Sequence, residues 1–321
     1  MLRTLPSGET RRYDRYILPI IEDLVAQGLL VEAADPCWSL TAARSVHRVA
    51  PGVRLRGDEM NLGYADEAAD AYPIFQKLRA ERDLPALSLQ AGMATDFTLT
   101  TVALACAARR RHRKAFAAAM EREILAIRQL AGDDVVIQLE APAELVIAAK
   151  TQPLHRIVDT VLRFGRGIGA LAAAAPEGTR FGVHLCLGGM NNKARATLRD
   201  TRPQLALANS VARHWPDGRT LQYVHGPLAA GDLPPSTDPA FYAPLANLRL
   251  GAGTQFYAGF VHETPTEAEQ VVTLQLIEAA LGHRLDGVAS ACGLGSRART
   301  VAGSLITRAA TLATIESIHK P

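Results

Sequence analysis

The stretch Phe181-Gly182-Val183-His184-Leu185-Cys186 decides how the fold and the chemistry of this chain are interpreted. It is a short apolar run that ends in an imidazole and a thiol. If the run is a β-strand, side chains two residues apart project from the same face, so His184 and Cys186 lie side by side at its end. A second run, Asp286-Gly287-Val288-Ala289-Ser290-Ala291-Cys292, ends in the same way in Cys292. One imidazole and two sulfurs are typical of an open zinc site, in which one position is left for water or substrate.

From about residue 85 onward, short β-like runs alternate with helical stretches, which predicts a parallel sheet with helical crossovers. The predicted strands are 86–92, 135–140, 181–186, 204–208, 221–225, 256–261 and 286–292. The predicted helices are 97–108, 114–131, 154–175, 191–199, 241–248, 266–281 and 297–318.

An N-terminal strand over 28–33 would bring the strands to the eight of a (β/α)8 barrel, a fold of about 250 residues. We therefore expect an α/β chain with a (β/α)8 TIM barrel as a single domain over 1–321. In this interpretation 1–80 is a divergent N-terminal part and 85–321 is the recognisable barrel. A doubly wound open sheet is the alternative.

The composition is that of an ordinary globular protein, with 48% hydrophobic and 21% charged residues among 321. The formal net charge of +3 is too small to indicate a nucleic-acid partner. The N-terminal residues lack the apolar region of a secretory signal, and the longest apolar stretches fall short of the roughly 20 residues that span a bilayer. The 4 cysteines do not suggest a disulfide scaffold. We expect a cytoplasmic protein without a nucleic-acid or membrane partner.

Further polar side chains stand at the ends of predicted strands, namely Glu140, His225 and His262. Active-site residues of a β/α barrel gather at the C-terminal ends of its strands, so these side chains join the same candidate site. Each also has an ordinary structural explanation, because a lone buried histidine is usually a core residue and a carboxylate that opens a helix is favoured by the helix dipole. Asn191 and Arg297 are weaker candidates for contacts with polar groups of a substrate.

Four segments resemble the C-terminal barrel of cobalamin-independent methionine synthase. That family carries a His-x-Cys strand end, a later Cys-Gly-Leu-x-x-Arg, an Ile-Gln-Ile-Asp-Glu-Pro segment and an Asp-Ile-His-Ser strand end. The corresponding segments here are His184-Leu185-Cys186, Cys292-Gly293-Leu294-Gly295-Ser296-Arg297, Ile137-Gln138-Leu139-Glu140-Ala141-Pro142 and Phe260-Val261-His262-Glu263. The resemblance covers about 85–321, and it is most specific at the His-x-Cys and Cys-Gly-Leu segments.

The resemblance implies a barrel of the methionine-synthase and uroporphyrinogen-decarboxylase type with a catalytic zinc held by His184, Cys186 and Cys292. In that family the zinc binds a thiol such as homocysteine and makes it a nucleophile toward a methyl or other alkyl donor. The partners implied are therefore a small-molecule thiol and an alkyl donor, and a homodimer is left open.

The resemblance also implies roles for the residues around the zinc. Glu140 falls where the family has an aspartate that binds the amino-acid thiol, and Gln138 stands beside it as a second substrate-binding residue. His262 falls where the family has a histidine implicated in proton transfer to the leaving group. His225 is the alternative proton donor.

Two departures from the family pattern bear on the function. The family's fourth zinc ligand is a glutamate on the strand after His-x-Cys, whereas the predicted strand 204–208 leads here into Asn209 and Ser210. We expect a neutral oxygen of Asn209, or water, in that position. The full-length synthase also has an N-terminal half that helps to bind its folate donor, and this chain shows no counterpart. The donor is then either methyl-folate or a methyl-corrinoid protein.

Other functions are compatible with the same residues. Zinc thiol transferases that open epoxides share the His-x-Cys and distant Cys pattern, so thiol addition to another electrophile is one alternative. A zinc hydrolase that activates water is a second alternative. A barrel that serves only as a partner or carrier subunit is a third, and it is favoured by the missing glutamate.

Overall fold

The structure, a computed structural model, describes residues 3–7, 17–33, 46–189 and 192–315. The chain divides into two compact units. The first unit comprises Met1–Ala141, Gly167–Gly182 and Trp215–Thr220, and the second comprises Pro142–Arg166, Val183–His214 and Leu221–Pro321. The single-domain boundary stays a prediction.

The strands are β1 (Thr4–Pro6), β2 (Leu30–Ala33), β3 (Val46–Val49), β4 (Ser88–Ala94), β5 (Val135–Ala141), β6 (Arg180–Leu185), β7 (Thr220–Pro227), β8 (Gln255–Val261) and β9 (Gly287–Ser290). The α-helices are α1 (Leu18–Ala26), α2 (Tyr64–Glu81), α3 (Asp96–Ala103), α4 (Cys106–Ala131), α5 (Pro142–Lys150), α6 (His155–Leu162), α7 (Phe164–Ala173), α8 (Arg202–Arg213), α9 (Pro239–Tyr242), α10 (Glu267–Leu281) and α11 (Arg299–Thr314). Short 3-10 helices span Gly132–Asp134 and Ala243–Asn247. Within the described ranges, no helix is both long and apolar enough to cross a bilayer.

The main sheet has 7 strands in the order β1-β4-β5-β6-β7-β8-β9. In the first unit, β1 pairs with β4 and β4 with β5, both parallel. In the second unit, β7 pairs with β8 and β8 with β9, again parallel. The strand β6 passes from the first unit into the second at Gly182. Because parallel strands end at the same edge, residues that follow the strands of one unit gather at that edge.

The residues of β6 explain why it forms a central strand. All of its residues after Arg180 are buried, as expected for a parallel strand that is covered on both faces. The strand therefore delivers His184 and the following Cys186 to the edge of the sheet with little freedom to move.

The α/β class and the parallel strands are confirmed, but a complete eight-stranded barrel is not. The predicted eighth strand over 28–33 is wrong in its role: β2 pairs antiparallel with β3 in a separate 2-stranded sheet. The backbone hydrogen bonds of these two short strands are therefore made with each other. The described N-terminal strand of the main sheet is instead β1.

Two other predicted elements are wrong. The strand over 204–208 is part of helix α8, because Leu205-Ala206-Leu207-Ala208 alternates like a strand while Pro203 opens a helix. The helix over 191–199 is absent from the described residues 192–199. The long helix over 154–175 is interrupted at Arg163, which adopts a left-handed conformation between α6 and α7.

The core of the second unit forms where β8, α9, α10 and α11 meet. Its fully buried members include Tyr242, Phe260 and Ile277. Helix α10 begins with a capping box: the hydroxyl of Thr266 accepts from the Glu269 backbone N–H at 3.3 Å, and the Glu269 carboxylate accepts from the Thr266 N–H at 2.7 Å. This cap fixes the start of the helix directly after the edge of the sheet.

Replacing the cap tests how much it stabilises this unit. We expect Thr266→Ala to lower the free energy of unfolding by about 1 kcal/mol, since the backbone N–H of Glu269 loses its acceptor. Thr307→Ala, which removes an exposed hydroxyl from α11, is the control and should change it by less than about 0.5 kcal/mol. Equal effects in urea denaturation would contradict this role of the cap.

Candidate metal centre

Three side chains of the second unit meet beyond the ends of β6 and β9. His184 lies in β6, Cys186 follows that strand, and Cys292 follows β9. The two sulfurs are 3.4 Å apart, and the candidate ligand atoms of all three residues lie within 4.8 Å of one another. His184 is 9% exposed and Cys186 4% exposed. The structure thus brings together the three residues that the sequence singled out as ligands.

Glycines make room for the two sulfurs. A Cβ atom on Gly189 would lie 2.9 Å from Sγ of Cys292, closer than such contacts allow. Gly188 has a positive φ of 79°, a conformation that suits glycine. From that position its backbone N–H donates to Sγ of Cys186 at 3.2 Å. The loop after β6 therefore both admits Cys292 and supplies a donor to Cys186.

The surroundings favour a thiolate at Cys292. The pKa of its thiol is held well below the ordinary value, first by the hydrogen bond with Cys186, although burial acts in the opposite direction. The backbone N–H of Gly293 lowers the pKa further. A thiolate is the form of cysteine that binds metals.

A pair of histidines sets the orientation of the imidazole ligand. Nδ1 of His184 lies 2.7 Å from Nδ1 of His225, and Nε2 of His225 lies 3.0 Å from the carbonyl oxygen of Ser290. A carbonyl only accepts, so Nε2 of a neutral His225 carries the proton and its Nδ1 is an acceptor. Nδ1 of His184 must then donate to it. Nε2 of His184 is then the unprotonated nitrogen, which is the form in which an imidazole binds a metal ion.

His225 stays neutral in this arrangement. Burial and the neighbouring His184 lower its pKa to about 3. The residue is 6% exposed, and its ring centroid lies 4.6 Å from that of His184. Both of its ring nitrogens are engaged, so the structure gives it a role in positioning His184.

Gly259 on β8 leaves the space that the His225 ring occupies. A Cβ atom there would lie 2.5 Å from Nε2 and 2.8 Å from Cε1 of His225, and 3.0 Å from the backbone Cα of Ala291. A shift of Ala291 to relieve this clash would cost free energy, because the atom in contact belongs to the backbone. The position of His225 therefore depends on a glycine in the adjacent strand.

The donor set fits a zinc ion. Two thiolates on one tetrahedral zinc, each at about 2.3 Å, are about 3.8 Å apart. The observed separation of 3.4 Å needs only a small outward movement of the sulfurs. Two sulfurs and one imidazole nitrogen, with the imidazole held by a second histidine, match the soft ligands that zinc accepts and leave one coordination position open.

Gln138 and Glu140 belong to the first unit, on β5. The side-chain amide of Gln138 donates to Oε1 of Glu140 at 3.0 Å, which makes one polar pair of the two predicted substrate-binding residues. A Cβ atom on Gly92 of β4 would lie 2.7 Å from the same oxygen. A glycine on the neighbouring strand therefore keeps the space around this carboxylate open.

His262, the predicted proton donor, follows β8 and is 1% exposed. Its Nδ1 accepts from the backbone N–H of Thr264 at 3.1 Å, and its Nε2 donates to the carbonyl of Gly231 at 3.0 Å. Arg297 lies in the same part of the second unit, where its Nε donates to Glu263 at 3.0 Å. Proton donation by His262 to a substrate would require release of the Gly231 hydrogen bond.

Asn209 lies on helix α8 and not at a strand end, because the strand predicted before it is wrong. Its side-chain amide donates to the carbonyl of Asn247 at 2.9 Å and accepts from the backbone N–H of Arg249 at 2.7 Å. Both of its polar atoms therefore hold the 247–249 segment. Asn191, the remaining predicted substrate-binding residue, lies outside the described residues.

Comparison with known proteins yields matches at the level of structure. No family model and no curated protein matches the chain. A B12-independent methionine synthase from Shewanella sp. W3-18-1, solved in complex with selenomethionine, aligns with a TM-score of 0.54 and 17% identity over 84% of this chain and 70% of that one. A methyltransferase from Methanosarcina mazei aligns with a TM-score of 0.50 and 15% identity over 91% of this chain and 78% of that one. The chain has the methionine-synthase fold.

Within the methionine-synthase fold, sequence reasoning missed how His184 is held. The strand that follows β6 in this fold is β7, which carries His225, and not the 204–208 segment. A signal was present in the sequence, since His225 stands near the end of an apolar run. What the sequence lacked was the neighbour relation of β6, β7 and β9, on which the contacts with His184 and Ser290 depend.

Removing the histidine support should weaken metal binding. We expect His225→Phe to lower the affinity for zinc about 10- to 100-fold, because Nδ1 of His184 loses the acceptor that fixes its tautomer. His283→Phe, at an exposed histidine, is the matched control. Chelator competition measures both affinities. If the zinc affinity of His225→Phe stays within about twofold of that of the unsubstituted chain, His225 does not support the metal site through His184.

The glycine beside His225 offers an independent test. We expect Gly259→Ala to reduce the free energy of unfolding by about 1–3 kcal/mol and to weaken zinc binding, since the added methyl group collides with the ring. Gly303→Ala in α11 meets no atom within 4 Å, so it is the control. That control should raise stability by about 0.5–1 kcal/mol through helix propensity. Thermal unfolding measures the stability and chelator competition measures the zinc affinity. Gly259→Ala with both values unchanged would contradict the role of this glycine.

Proposed function

We propose that this chain is a zinc-dependent transferase that moves a methyl or other alkyl group onto a thiol such as homocysteine. The observation that carries the proposal is the convergence of His184, Cys186 and Cys292, with Nδ1 of His184 held by His225. Zinc bound there would supply a Lewis acid that lowers the pKa of a substrate thiol. The sulfur-rich donor set favours a thiol over water as the activated group.

The methionine-synthase fold supports the same direction. The Shewanella protein with this fold is a methionine synthase bound to selenomethionine, and the Methanosarcina protein is a methyltransferase. The four sequence segments that resemble the methionine-synthase barrel include all three proposed ligands. Fold likeness and ligand residues thus both support alkyl transfer to sulfur.

In the proposed reaction a thiol RSH and a donor R′–X give RS–R′ and HX. The carbon–sulfur bond forms as the bond between the alkyl carbon and X breaks, and the thiol proton leaves with X. The residues of this chain contribute by position: Gly188 donates to Cys186, and His225 orients His184. His184 and Cys186 are buried, and the low polarity around them strengthens electrostatic interactions at the site.

Other residues keep roles that belong to the proposal. For Glu140 and Gln138 we propose binding of the amino group or another polar group of the thiol substrate. For His262 we propose proton donation to the leaving group, in a state in which its Nε2–H has left the Gly231 carbonyl. His225 acts as a positioning residue, since its proton is bound to Ser290.

Metal content is the first test of this function. We expect about one zinc per chain in protein purified without chelator, and a loss of most of it in Cys292→Ser and His184→Gln. His283→Gln, at an exposed position, should keep its zinc. Inductively coupled plasma mass spectrometry gives the stoichiometry. Full zinc in Cys292→Ser would contradict the ligand set.

Activity is then measured as thiol consumption with homocysteine and one donor at a time: methyl-folate, methylcobalamin or an epoxide. We expect turnover with at least one donor, and a fall of at least about 100-fold in Cys186→Ser because a ligand is lost. Transfer from the epoxide alone would replace methyl transfer by thiol addition. Water-dependent cleavage without thiol loss would support a hydrolase, and inactivity with every donor would contradict a catalytic function.

A further inference from the structure

A cavity of about 560 Å³ lies in the second unit, beside the loop that follows Cys186. Its wall is formed by the end of α5, by the segment 193–199 and by Asp232 and Leu233. The volume falls within the range of small-molecule sites, about 300–1,000 Å³. Among the described residues, neither the proposed zinc ligands nor the predicted substrate-binding residues line this cavity.

The lining is strongly positive. The cationic side chains in it are Lys150, Lys193, Arg195 and Arg199, against a single carboxylate, Asp232. Lys193 and Asp232 form an ion pair at 2.7 Å, so the remaining cations give the cavity its excess charge. A concave site lined by one sign of charge concentrates small ions of the opposite sign.

Arg195 lies on the cavity wall and carries a donor without a partner among the described residues. Its Nε is buried, and among the described residues no acceptor lies within hydrogen-bond distance of it. A buried donor without a partner is costly, which favours a ligand or water that supplies an acceptor. The side chain is also fixed from behind, because a Cβ atom on Gly188 would lie 2.6 Å from Cγ of Arg195.

The same arginine connects the cavity to the candidate metal centre. Its backbone N–H donates to the carbonyl of Leu187 at 2.9 Å, and Leu187 is the residue directly after Cys186. Gly188, against which Arg195 packs, is the residue whose N–H donates to the Cys186 sulfur. Arg195 therefore joins the cavity wall to the segment directly after Cys186, one of the proposed ligands.

We propose that this cavity binds the phosphate or diphosphate group of a small molecule. Guanidinium groups present several donors in a fixed plane and bind phosphate oxygens in pairs, and Arg195 and Arg199 supply two such groups. Several cations around one cavity match a multivalent oxyanion better than a single carboxylate. That this molecule is the alkyl donor rests on the proposed function, whereas phosphate binding itself does not.

The ion pair Lys193–Asp232 gives the cavity a further property. Asp232 lies on the cavity wall and opposes an incoming anion, while it also accepts from the backbone N–H of Ala194 at 3.3 Å. An asparagine at this position has the same shape and keeps an acceptor oxygen. Removal of this one negative charge should therefore raise the affinity for an anion, an effect that a purely structural cluster does not predict.

The test is calorimetric titration of the full chain with pyrophosphate at about 150 mM salt, a concentration that screens loose surface attraction. We expect saturable binding at one site per chain. Arg199→Gln and Arg195→Gln should weaken it at least about tenfold each, and Asp232→Asn should tighten it about threefold or more. Arg213→Gln, at an exposed arginine near the end of α8, is the charge-matched control and should change it less than twofold.

Several outcomes overturn the proposal. They are the absence of saturable binding up to about 10 mM pyrophosphate, equal losses in Arg199→Gln and Arg213→Gln, and citrate binding as tight as pyrophosphate. Circular dichroism and melting of each variant separate a lost site from a lost fold, and Arg199→Gln, at an exposed residue, serves if Arg195→Gln does not fold.

The same titration separates this proposal from that of the zinc transferase. Pyrophosphate binding by a zinc-free Cys292→Ser chain would support phosphate binding in the cavity independently of the metal site. Zinc binding without pyrophosphate binding overturns the cavity alone.

Discussion

The hydrogen bond between Nδ1 of His184 and Nδ1 of His225 is the interaction on which the candidate metal centre depends. It works because the second ring is fixed at its far side by the carbonyl of Ser290, at 3.0 Å. The backbone carbonyl of Ser290 determines the tautomer of His225. That tautomer in turn determines which ring nitrogen of His184 is unprotonated and able to bind a metal ion. Three strands, β6, β7 and β9, thus set the chemistry of one nitrogen atom.

Glycines at the sheet edge are the second constraint, since they allow large polar groups to approach one another. Because Gly259 has no side chain, the ring of His225 fits beside it, and Gly189 leaves room for Sγ of Cys292 in the same way. Gly188 turns the chain so that its N–H reaches the Cys186 sulfur, and the same turn seats Arg195 behind it. Residues 186–189 and Arg195 therefore contribute to both the metal centre and the basic cavity. Close packing makes both sites sensitive to a single added methyl group.

Local patterns in the sequence predicted the parts of the structure that local physics determines. The strand over 181–186 and the one over 286–292 follow from apolar runs with a polar end, and their side-chain period placed His184 beside Cys186. The 204–208 segment misled because Leu205-Ala206-Leu207-Ala208 satisfies the strand period, while the apolar Val211 and the opening Pro203 fit a helix. The role of β2 and the contact of His184 with His225 depend on which strands are neighbours, and no local pattern contains that information.

X-ray absorption at the zinc edge of the loaded protein tests the central claim most directly. The account predicts two sulfur ligands at about 2.3 Å and one imidazole nitrogen at about 2.0–2.1 Å, and replacement of a light-atom ligand by a third sulfur when homocysteine is added. A coordination shell of nitrogen and oxygen alone, or a spectrum that homocysteine leaves unchanged, would contradict it.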